Sequence, residues 1–343
     1  MNGKETLVSS TIVSAPDEQE TTSDTVKRRK PQLTIVMITF NSEGVLEVCL
    51  RSVKAALEYS GIDYTLKTVD NGSQDNTLGI VESIFPQADT IANGQNLGYA
   101  RAVNQALACV ESDWILLLNP DTVLPTHLFE VLRQIRDCPN IQIFSPLFVD
   151  EWGSIVKTSY NWPSLIKEAI RLLGLEPLIK RTFKRLQKPL DVRDTLLCND
   201  KLGHALIVDY VAGAALFIRS ELWRQVGPFD ERFFLYGEEM EWCYRASLKG
   251  FKTIVLTGYS VLHMGAKSVA HRPLEVPLWK YAGLIYFYSK YRSTLDQTFL
   301  RTMILFSFAV QAAFKFLGCQ KKTAAVYLRI ALLSLRNTSS RGG

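Results

Sequence analysis

The sequence predicts an α/β protein in which a mostly parallel central sheet is flanked by helices and followed by C-terminal amphipathic helices. Strand-length apolar runs alternate with helical segments from Leu33 onward, as in the right-handed βαβ units of parallel sheets. Basic segments rich in Leu, Ile and Phe follow at the C-terminal end. With 47% apolar and 21% charged residues among 343, the composition is that of a globular protein and excludes a wholly disordered one.

The strands of the predicted sheet differ in how apolar they are. The segments 33–40 and 114–119 are near-continuous apolar runs, as expected of strands covered on both faces. A further apolar stretch, 207–220, has small residues at its centre. The remaining predicted strands span 64–70, 88–92 and 251–257, and the predicted helices span 44–60, 77–85, 98–110 and 236–249.

The α/β pattern occupies residues 32–270. Before it, residues 1–31 are rich in Ser, Thr, Glu and Asp and predict a disordered N-terminal tail. Within it, the segment 163–200 predicts a basic amphipathic helical insert, because residues 163–188 combine Leu and Ile clusters with seven Lys or Arg. A break is expected near Gly174. An ordinary covering helix and a membrane contact are both compatible with this insert.

The segment 271–343 is both basic and apolar. It carries eleven Lys or Arg against Glu275 and Asp296, a charge of +9. Its apolar runs, 303–313 and 324–335, are shorter than the roughly 20 residues that span a bilayer. We therefore expect amphipathic helices that associate with a membrane surface. A soluble helical cap on the core is the alternative.

Charge and cysteine content exclude several classes of protein. The 39 Lys and Arg against 34 Asp and Glu give a net charge of +5, too small an excess to indicate a nucleic-acid partner. The six Cys include no CxxC pair, which argues against a thiolate zinc site and a disulfide framework and favours a reducing compartment. The first residues lack the apolar stretch of a secretory signal. These features predict a cytoplasmic protein.

Polar residues follow the predicted parallel strands, at the edge of the sheet where α/β proteins bind ligands. Asn119 and Asp121 follow a buried strand. A carboxylate buried at that position is costly unless a cation or a hydrogen-bond donor lies beside it. Oxygen ligands of this kind suit Mg²⁺ or Mn²⁺. Asp70 ends the second strand and could accept a hydrogen bond from a nucleobase. Asn71 and the residues after it also fit an ordinary Asx turn.

Two other segments carry candidate functional residues. Asn96, Gly98 and Arg101 open a predicted helix, and a helix N-terminus with a glycine admits a phosphate group. Glu238 and Glu239 stand among aromatic residues and are candidates for a general base. Acidic residues in a first turn also complement the helix dipole, so a structural role for the pair stays open.

The remaining candidates lie near the end of the α/β pattern. Glu241 and Arg245 are four residues apart on one predicted helix, which favours a structural ion pair over a catalytic one. His263 follows a predicted strand and could supply an imidazole ligand to a metal ion, although a lone histidine is more often structural.

Seven motifs stand in a fixed order between about Leu33 and Met264: TFN, VDNGSQD, NLGYARAVN, LLNPDT, VAGAALFIR, VGPFDERFFLYGEEMEWCYR and VLHMG. Each is weak alone. The ordered series resembles the inverting glycosyltransferases of family 2, in particular the rhamnosyltransferase-like branch of bacterial cell-surface polysaccharide synthesis. The resemblance implies the GT-A fold of nucleotide-diphospho-sugar transferases.

The resemblance implies a role for each matched position. The residues implied for the nucleotide-sugar donor are Thr39, Asn41, Asp70, Asn71, Asn96, Gly98, Arg101, Asn119 and Asp121. Asp121 and His263 would hold Mg²⁺ or Mn²⁺, since they match the family's D-x-D-type motif and its downstream histidine. The acceptor region would include Gly213, Ala214, Tyr236 and Trp242.

The resemblance also implies the reaction. The family usually reads Glu-Asp where this chain has Glu238 and Glu239, with the second acid as base, so Glu239 is one methylene longer than the usual base. The implied reaction is metal-dependent, inverting transfer of L-rhamnose from dTDP-L-rhamnose to a polyprenyl-diphosphate-linked glycan in O-antigen or exopolysaccharide synthesis. It would take place peripherally, on the inner face of the cytoplasmic membrane. The Q-x-x-R-W motif of processive members is missing, so we expect one sugar per acceptor visit.

Other functions are compatible with parts of this pattern. UDP-galactofuranose or a UDP-hexose could replace the rhamnosyl donor on the same fold. A nucleotidylyltransferase is disfavoured, because TFNSEGVLEV after the first strand lacks a Gly-rich basic signature. A non-catalytic glycan- or nucleotide-binding relative would tolerate the unusual Glu239. A homo-oligomer is also compatible with the sequence.

Overall fold

The computed structural model describes residues 31–136, 138–177, 192, 194–196, 204–265 and 274–336. The tail predicted over 1–31 lies outside these residues except for Pro31, and so does most of the second half of the predicted insert.

A mixed, mostly parallel sheet forms the centre of the described structure. The described strands are β1 Leu33–Thr39, β2 Tyr64–Asp70, β3 Asp89–Ala92, β4 Trp114–Leu118, β5 Thr122–Val123, β6 Ile143–Val149, β7 Ser159–Tyr160, β8 Asp194–Leu196, β9 Ala205–Val208, β10 Tyr210–Val211, β11 Ala215–Arg219 and β12 Thr253–His263. All of them except β7 and β10 belong to the central sheet. The strand order is β3-β2-β1-β4-β11-β6-β12-β9-β8, with β5 pairing to β12. The pair β7–β10 forms a separate ribbon.

The four N-terminal strands are parallel, as the βαβ pattern predicts. β1 lies between β2 and β4, with Leu33 opposite both Tyr64 and Trp114. Its side chains alternate between the two faces of the sheet: Leu33, Ile35 and Met37 join one core and Val36 joins the other. This two-sided burial explains the unbroken apolar run in the sequence.

Helices cover both faces of the sheet and continue into a C-terminal layer. They are α1 Glu43–Ser60, α2 Thr77–Ile84, α3 Tyr99–Ala106, α4 Glu130–Gln134, α5 Leu165–Leu172, α6 Ser220–Val226, α7 Glu238–Leu248, α8 Val276–Tyr291, α9 Thr294–Leu317 and α10 Lys321–Leu333. One core joins α1 and α2 to the sheet, and a second joins α3, α6 and α7 to the opposite face. α1 is capped by Gly61, whose φ of 57° places it in the left-handed region.

Several predicted boundaries differ from those in the structure. The apolar stretch 207–220 contains parts of three strands, because small residues at 212–214 separate β10 from β11. The helix predicted over 98–110 ends at Ala106. The strand predicted to end at 257 continues to His263, after a bulge between Leu256 and Ser260. This extension carries His263 to the end of the sheet where β4 ends.

The C-terminal helices form a third core with parts of the α/β domain. Ile304 and Ile330 meet Phe233 and Met240 in this cluster, together with Leu172 at the end of α5. The Ser307 hydroxyl also donates to the carbonyl of Leu172 at 2.6 Å. The C-terminal region therefore packs directly on the α/β core and on the first helix of the predicted insert.

α9 is longer than the sequence analysis predicted. With 24 residues, the helix is long and apolar enough to cross a membrane, judged by length and composition alone. Its most apolar window of 18 residues has a mean hydropathy of 1.4, and 28% of that window is buried. One face packs on the rest of the protein through Leu300, Ile304 and Phe308. The other face is an exposed apolar stripe of Leu295, Phe299, Phe306, Val310, Phe314 and Leu317.

Candidate active site

A cavity of about 520 Å³ opens at the carboxyl ends of β1 and β4. Its wall brings together most of the residues that the sequence motifs single out, although these are spread over more than 200 positions. They are Thr39, Asn71, Asn96, Gly98, Asn119, Asp121, Gly213, Ala214, Tyr236, Glu239 and His263.

Asp121 and His263 are neighbours because β5 pairs with the end of β12. Thr122 lies opposite His263 in this antiparallel pair, and the amide of Met264 donates to the Asp121 carbonyl at 2.9 Å. The His263 Nε2 atom consequently lies 3.5 Å from Asp121 Oδ1. The turn after β4 is held by the Thr122 hydroxyl, which donates to the Asn119 carbonyl at 2.7 Å.

The donor set around Asp121 fits a divalent cation. Asp121 is fully buried, and neither of its carboxylate oxygens accepts a hydrogen bond within the described part of the chain. Such a carboxylate is costly unless a cation balances its charge. Among the described residues, no group of three His, Cys, Asp or Glu side chains could enclose a metal. A site of one carboxylate and one imidazole leaves positions for phosphate oxygens, as Mg²⁺ sites with phosphate substrates often do.

Glu238 and Glu239 begin α7 but have different surroundings. Glu239 lines the cavity, whereas Glu238 is 3% exposed and lies behind it. Burial raises the pKa of Glu238 well above its usual range, and the charge of Glu239 raises it further. Burial also raises the pKa of Glu239, but hydrogen bonds from the Glu238 carboxyl and the backbone amides of Gly213 and Gly237 oppose that shift.

These surroundings affect the two acids unequally. Both shifts favour the neutral acid, but the backbone amides that oppose the shift of Glu239 make it the more readily ionised of the two, on the side that faces the cavity. The Oε2 atom of Glu239 accepts no hydrogen bond from the described residues. The geometry therefore suits Glu239 as a base and Glu238 as its support.

The third acid of α7 has a structural role, as its spacing predicts. The buried carboxylate of Glu241 accepts from Arg245 Nε at 3.0 Å, from Lys290 Nζ at 2.6 Å and from the Tyr291 hydroxyl at 2.5 Å. Lys290 also donates to Asp230 at 2.9 Å. This network ties the last turn of α8 to the segment that carries the two catalytic candidates.

The segment 233–237 is clamped between α3 and α8. The Tyr99 amide donates to the Phe234 carbonyl at 2.7 Å. A Cβ atom on Gly98, whose φ is 88°, would lie 2.6 Å from the same carbonyl. On the other side, a Cβ atom on Gly283 of α8 would lie 2.6 Å from the Tyr236 carbonyl. The close approach that requires Gly98 is thus to Phe234, a contact that the sequence analysis did not foresee.

Tyr236 has an unusual backbone conformation for a bulky residue, with φ at 70°. Its ring lies under the Lys280 ammonium, 4.8 Å from the ring centroid. Strained residues of this kind persist where their surroundings hold them, commonly at functional sites. The clamp from α8 therefore holds the cavity wall just before Glu239.

The predicted nucleotide residues at the end of β2 form a tight polar turn. The carboxylate of Asp70 accepts from Thr39 at 2.9 Å, from Ser73 Oγ at 2.5 Å and from the amides of Gly72 and Ser73. Asn71 donates to the Gly98 carbonyl at 3.2 Å. The Asp70 side chain thus closes an Asx turn with the Gly72 amide, in the segment where the sequence allowed such a turn. Donor binding by Asp70 stays a prediction.

Asn41 and Asn96 make comparable local contacts. The Asn41 side chain accepts from the Gln74 amide at 2.8 Å, and its backbone has a φ of 48°. The Asn96 side chain accepts from the Gly98 amide at 2.9 Å. Asn96 lines the cavity, and Asn41 braces the loop beside it.

Five predicted site residues are not on the cavity wall: Asn41, Asp70, Glu238, Arg101 and Trp242. Arg101 projects from α3 toward Glu231, with 4.0 Å between the charged groups, so the structure does not place it facing a nucleotide-sugar. Trp242 is fully buried, and its indole donates to the Gly227 carbonyl at 2.8 Å. Trp242 therefore does not line the cavity, and a direct contribution of its side chain to the acceptor region stays a prediction.

Sequence reasoning missed several residues that line the cavity. They are carried by α5, α8 and the β7–β10 ribbon: Tyr160, Glu168, Arg171, Tyr210, Trp279 and Lys280. Arg171 and Lys280 appear in the sequence as parts of basic amphipathic segments. The spacing of Glu168 and Arg171 was the available signal, because it places both on one face of a helix.

Comparison with known proteins gives a family match for the part of the chain that carries the first four strands. Residues 34–180 match the model of the family described as glycosyl transferase family 2. This part of the chain is therefore similar to a family 2 glycosyltransferase domain. The matched residues include β1 to β4 and Asp121. Together with the mixed, mostly parallel sheet and its flanking helices, the match confirms the predicted GT-A fold and glycosyltransferase class.

The glycosyltransferase is similar to curated proteins over most of its length. It is 27% identical over 256 residues to the N-acetylglucosaminyl-diphospho-decaprenol L-rhamnosyltransferase of Mycobacterium tuberculosis, covering 70% of this chain and 78% of that protein. It is 22% identical over 237 residues to rhamnosyltransferase WbbL of Escherichia coli K12, covering 67% and 82%. The solved structure of S. aureus TarS 1–349 aligns with a TM-score of 0.48 at 14% identity, covering 88% and 90%.

Proposed function

We propose that this glycosyltransferase moves L-rhamnose from dTDP-L-rhamnose to a lipid-linked glycan, by a metal-dependent, inverting and non-processive reaction. The observation that carries the proposal is the shared cavity. A buried acid suited to be a base, Glu239, and an uncompensated carboxylate beside an imidazole, Asp121 and His263, line the same space.

Glu239 acts as the general base of the proposed reaction. It takes the proton of the acceptor hydroxyl, and that oxygen attacks the anomeric carbon from the face opposite the nucleotide. The new glycosidic bond forms as the bond to the nucleoside diphosphate breaks, and the electron pair leaves with the diphosphate. A single displacement of this kind inverts the anomeric configuration and needs no covalent intermediate.

Asp121 and His263 would hold the divalent cation of this reaction, Mg²⁺ or Mn²⁺. When bound, such a cation supplies charge neutralisation for the departing diphosphate. Asn119 is a neutral oxygen donor on the same turn. The buried, unbonded oxygens of Asp121 support this assignment.

The donor and acceptor assignments draw on the relatives. Both relatives described above are named rhamnosyltransferases, and the mycobacterial protein's name specifies a diphospho-decaprenol-linked acceptor. We infer the same donor sugar and the same class of acceptor here. The wall between Gly213 and Tyr236, next to Glu239, is where we place the acceptor sugar.

The exposed apolar stripe of α9 supports a location at the membrane surface. Phe306 and Phe314 are 65% and 70% exposed, and Arg329 and Arg336 are exposed on the following helix and turn. Apolar side chains next to Lys and Arg favour binding to anionic lipid. We propose that α9 lies along the cytoplasmic leaflet, because its other face packs on the protein.

Calorimetric titration with dTDP-rhamnose, dTDP, UDP and UDP-galactofuranose, each with Mn²⁺ and with EDTA, tests the donor. Metal-dependent binding of the dTDP compounds in preference to UDP is the expected result. A preference for UDP would replace rhamnose by a UDP-linked sugar and leave the fold and the base unchanged. Failure to bind any nucleotide would instead favour a non-catalytic glycan-binding relative.

A further inference from the structure

We propose that Arg171 and Lys280 form an anion site for the diphosphate of the lipid-linked acceptor, and that an apolar groove on the back of α5 receives its prenyl chain. The proposal rests on the acceptor class proposed above. It names the residues that would recognise that acceptor, and none of the sequence motifs points to them.

The two cations line the cavity from different helices. Arg171 projects from α5 and lies 5.2 Å over the ring of Tyr281, while Lys280 projects from α8 and lies 4.8 Å over the ring of Tyr236. Both side chains are positioned by an aromatic face, and among the described residues Lys280 has no ion-pair partner. Arg171 also forms an ion pair with Glu168.

The two charges repel one another in a partly buried wall. Burial lowers the pKa of Lys280, and the charge of Arg171 lowers it further, while Glu239 acts in the opposite direction. Two like charges in one cavity wall disfavour each other, and an anion between them offsets that repulsion. A diphosphate carries more than one negative charge and would relieve this repulsion.

The position of the cations assigns them to the acceptor. The acceptor hydroxyl has to reach Glu239, and Lys280 lies on the ring of Tyr236, three residues before that base. Asp121 and His263, which we assign to the donor diphosphate, are carried by the ends of the central strands instead.

The apolar groove lies on another side of the same helix. Leu165, Ile166, Ala169, Ile170 and Leu173 line it together with Phe299 of α9. Ile166 is 75% exposed and Leu173 is 52% exposed. α5 thus presents Glu168 and Arg171 to the catalytic cavity and an apolar surface to the groove, which continues toward the exposed stripe of α9.

This order of surfaces matches the order of groups in a prenyl-diphosphate-linked sugar. The sugar meets the base, the diphosphate meets Arg171 and Lys280, and the chain follows the groove to the membrane-facing stripe. An acceptor without charge, or one without a chain, would lose one of these contacts.

Steady-state kinetics with two acceptors test the anion site. The acceptors are farnesyl-diphospho-N-acetylglucosamine and octyl N-acetylglucosaminide, which has no diphosphate. Arg171→Gln and Lys280→Gln should each raise KM for the diphosphate acceptor about tenfold, since hydrogen bonds to charged groups are worth roughly that much. KM for the octyl glycoside and for the nucleotide-sugar should stay unchanged. The matched controls are Arg51→Gln, which breaks a similar surface pair on α1, and Lys54→Gln.

Other results of this experiment would overturn the proposal. Equal losses on both acceptors would show a structural role, and a rise in KM for the nucleotide-sugar alone would move the cations to the donor. If wild-type protein used neither acceptor, the proposed function would fail as well. Calorimetric titration with farnesyl diphosphate, in the absence of the nucleotide-sugar, distinguishes failure of the proposed function from failure of the anion site. If the anion site exists, wild-type protein binds farnesyl diphosphate and Lys280→Gln binds it more weakly, whether or not sugar is transferred.

Chain length tests the groove. Acceptors with the same sugar and diphosphate but a C5 or a C15 chain should differ in KM for the wild-type protein, with the longer chain binding more tightly. Ile166→Ser should remove that difference. A preference for the longer chain that survives the substitution would place the prenyl chain elsewhere.

Discussion

Glu238 and Glu239 are adjacent in sequence but have different tasks in this fold. One faces the cavity and accepts from backbone amides, and the other is enclosed in the protein, where burial raises its pKa well above the usual range. The sequence identified both as candidates but could not rank them, because their difference comes from the first turn of α7 and from Gly213, about 25 positions earlier.

Substitution separates the two acids. Glu239→Gln should lower kcat by a factor of about 10² to 10⁴, the range typical of general bases, and leave donor affinity unchanged. Glu238→Gln, the matched variant, should keep most of the turnover, because an amide can donate the same hydrogen bond. Single-turnover assays and nucleotide titration measure both effects. The reverse ranking would assign the base to Glu238.

The pH dependence of turnover follows from the direction of the shift. Because burial raises the pKa of Glu239, its carboxylate is lost at a higher pH than for an ordinary glutamate. As the pH falls through that raised pKa, kcat/KM should fall in proportion to the ionised fraction. A pH–rate profile from 4 to 9 checks this. Activity that persists undiminished down to pH 4 would rule out a buried carboxylate base.

At the scale of elements, α8 contributes to the wall of the candidate active site although it lies outside the motifs. Its residues clamp the segment before Glu239 and line the cavity, yet in the sequence they read as part of a basic C-terminal region. β1, β2 and β4 were predictable because burial on both faces leaves a continuous apolar run. The contacts of α8 with the cavity wall were not predictable, because they join segments that lie some 45 residues apart in the sequence. No sequence pattern connects those two segments.

The clamp predicts an effect of a single methyl group. In Gly283→Ala, the new Cβ would lie 2.6 Å from the Tyr236 carbonyl, and this backbone atom cannot move without shifting the segment before Glu239. Overpacking of this kind costs about 1–3 kcal/mol, and kcat should fall with it. Gly44→Ala on α1 is the control, because its Cβ has no neighbour within 4 Å. Urea unfolding and turnover measure both. Normal turnover in Gly283→Ala would separate α8 from catalysis.

The ion network between α7 and α8 makes a second prediction. Lys290→Met leaves the buried Glu241 carboxylate with fewer donors and should lower the free energy of unfolding by about 1–3 kcal/mol. Lys54→Met, on the exposed face of α1, should leave it within about 0.5 kcal/mol of wild type. Chemical denaturation compares the two variants. Equal stability of both would mean that the network contributes little.

At the scale of the whole molecule, the C-terminal helices join the catalytic core to an apolar outer surface. α9 packs on α5 and α8 through one face and exposes large apolar side chains on the other. The sequence predicted amphipathic helices here but placed shorter ones, because Arg301 and Lys315 interrupt the apolar runs. In the structure these residues lie within the continuous helix Thr294–Leu317.

Membrane association should depend on the exposed stripe. The double variant Phe306→Glu and Phe314→Glu should lose binding to phosphatidylglycerol vesicles in a sedimentation assay and keep its unfolding midpoint, since both side chains are exposed. Val48→Glu, which replaces an exposed apolar residue on α1, is the control. Unchanged sedimentation of the double variant would favour a soluble helical cap.

Transfer of labelled sugar tests the central claim most directly. Wild-type protein, Mn²⁺ and farnesyl-diphospho-N-acetylglucosamine are incubated with labelled dTDP-rhamnose or with labelled UDP-sugars, and the lipid product is extracted. We predict a labelled product from dTDP-rhamnose that disappears with Glu239→Gln and with EDTA. A labelled product that Glu239→Gln forms as fast as wild type would contradict the role of the cavity described here.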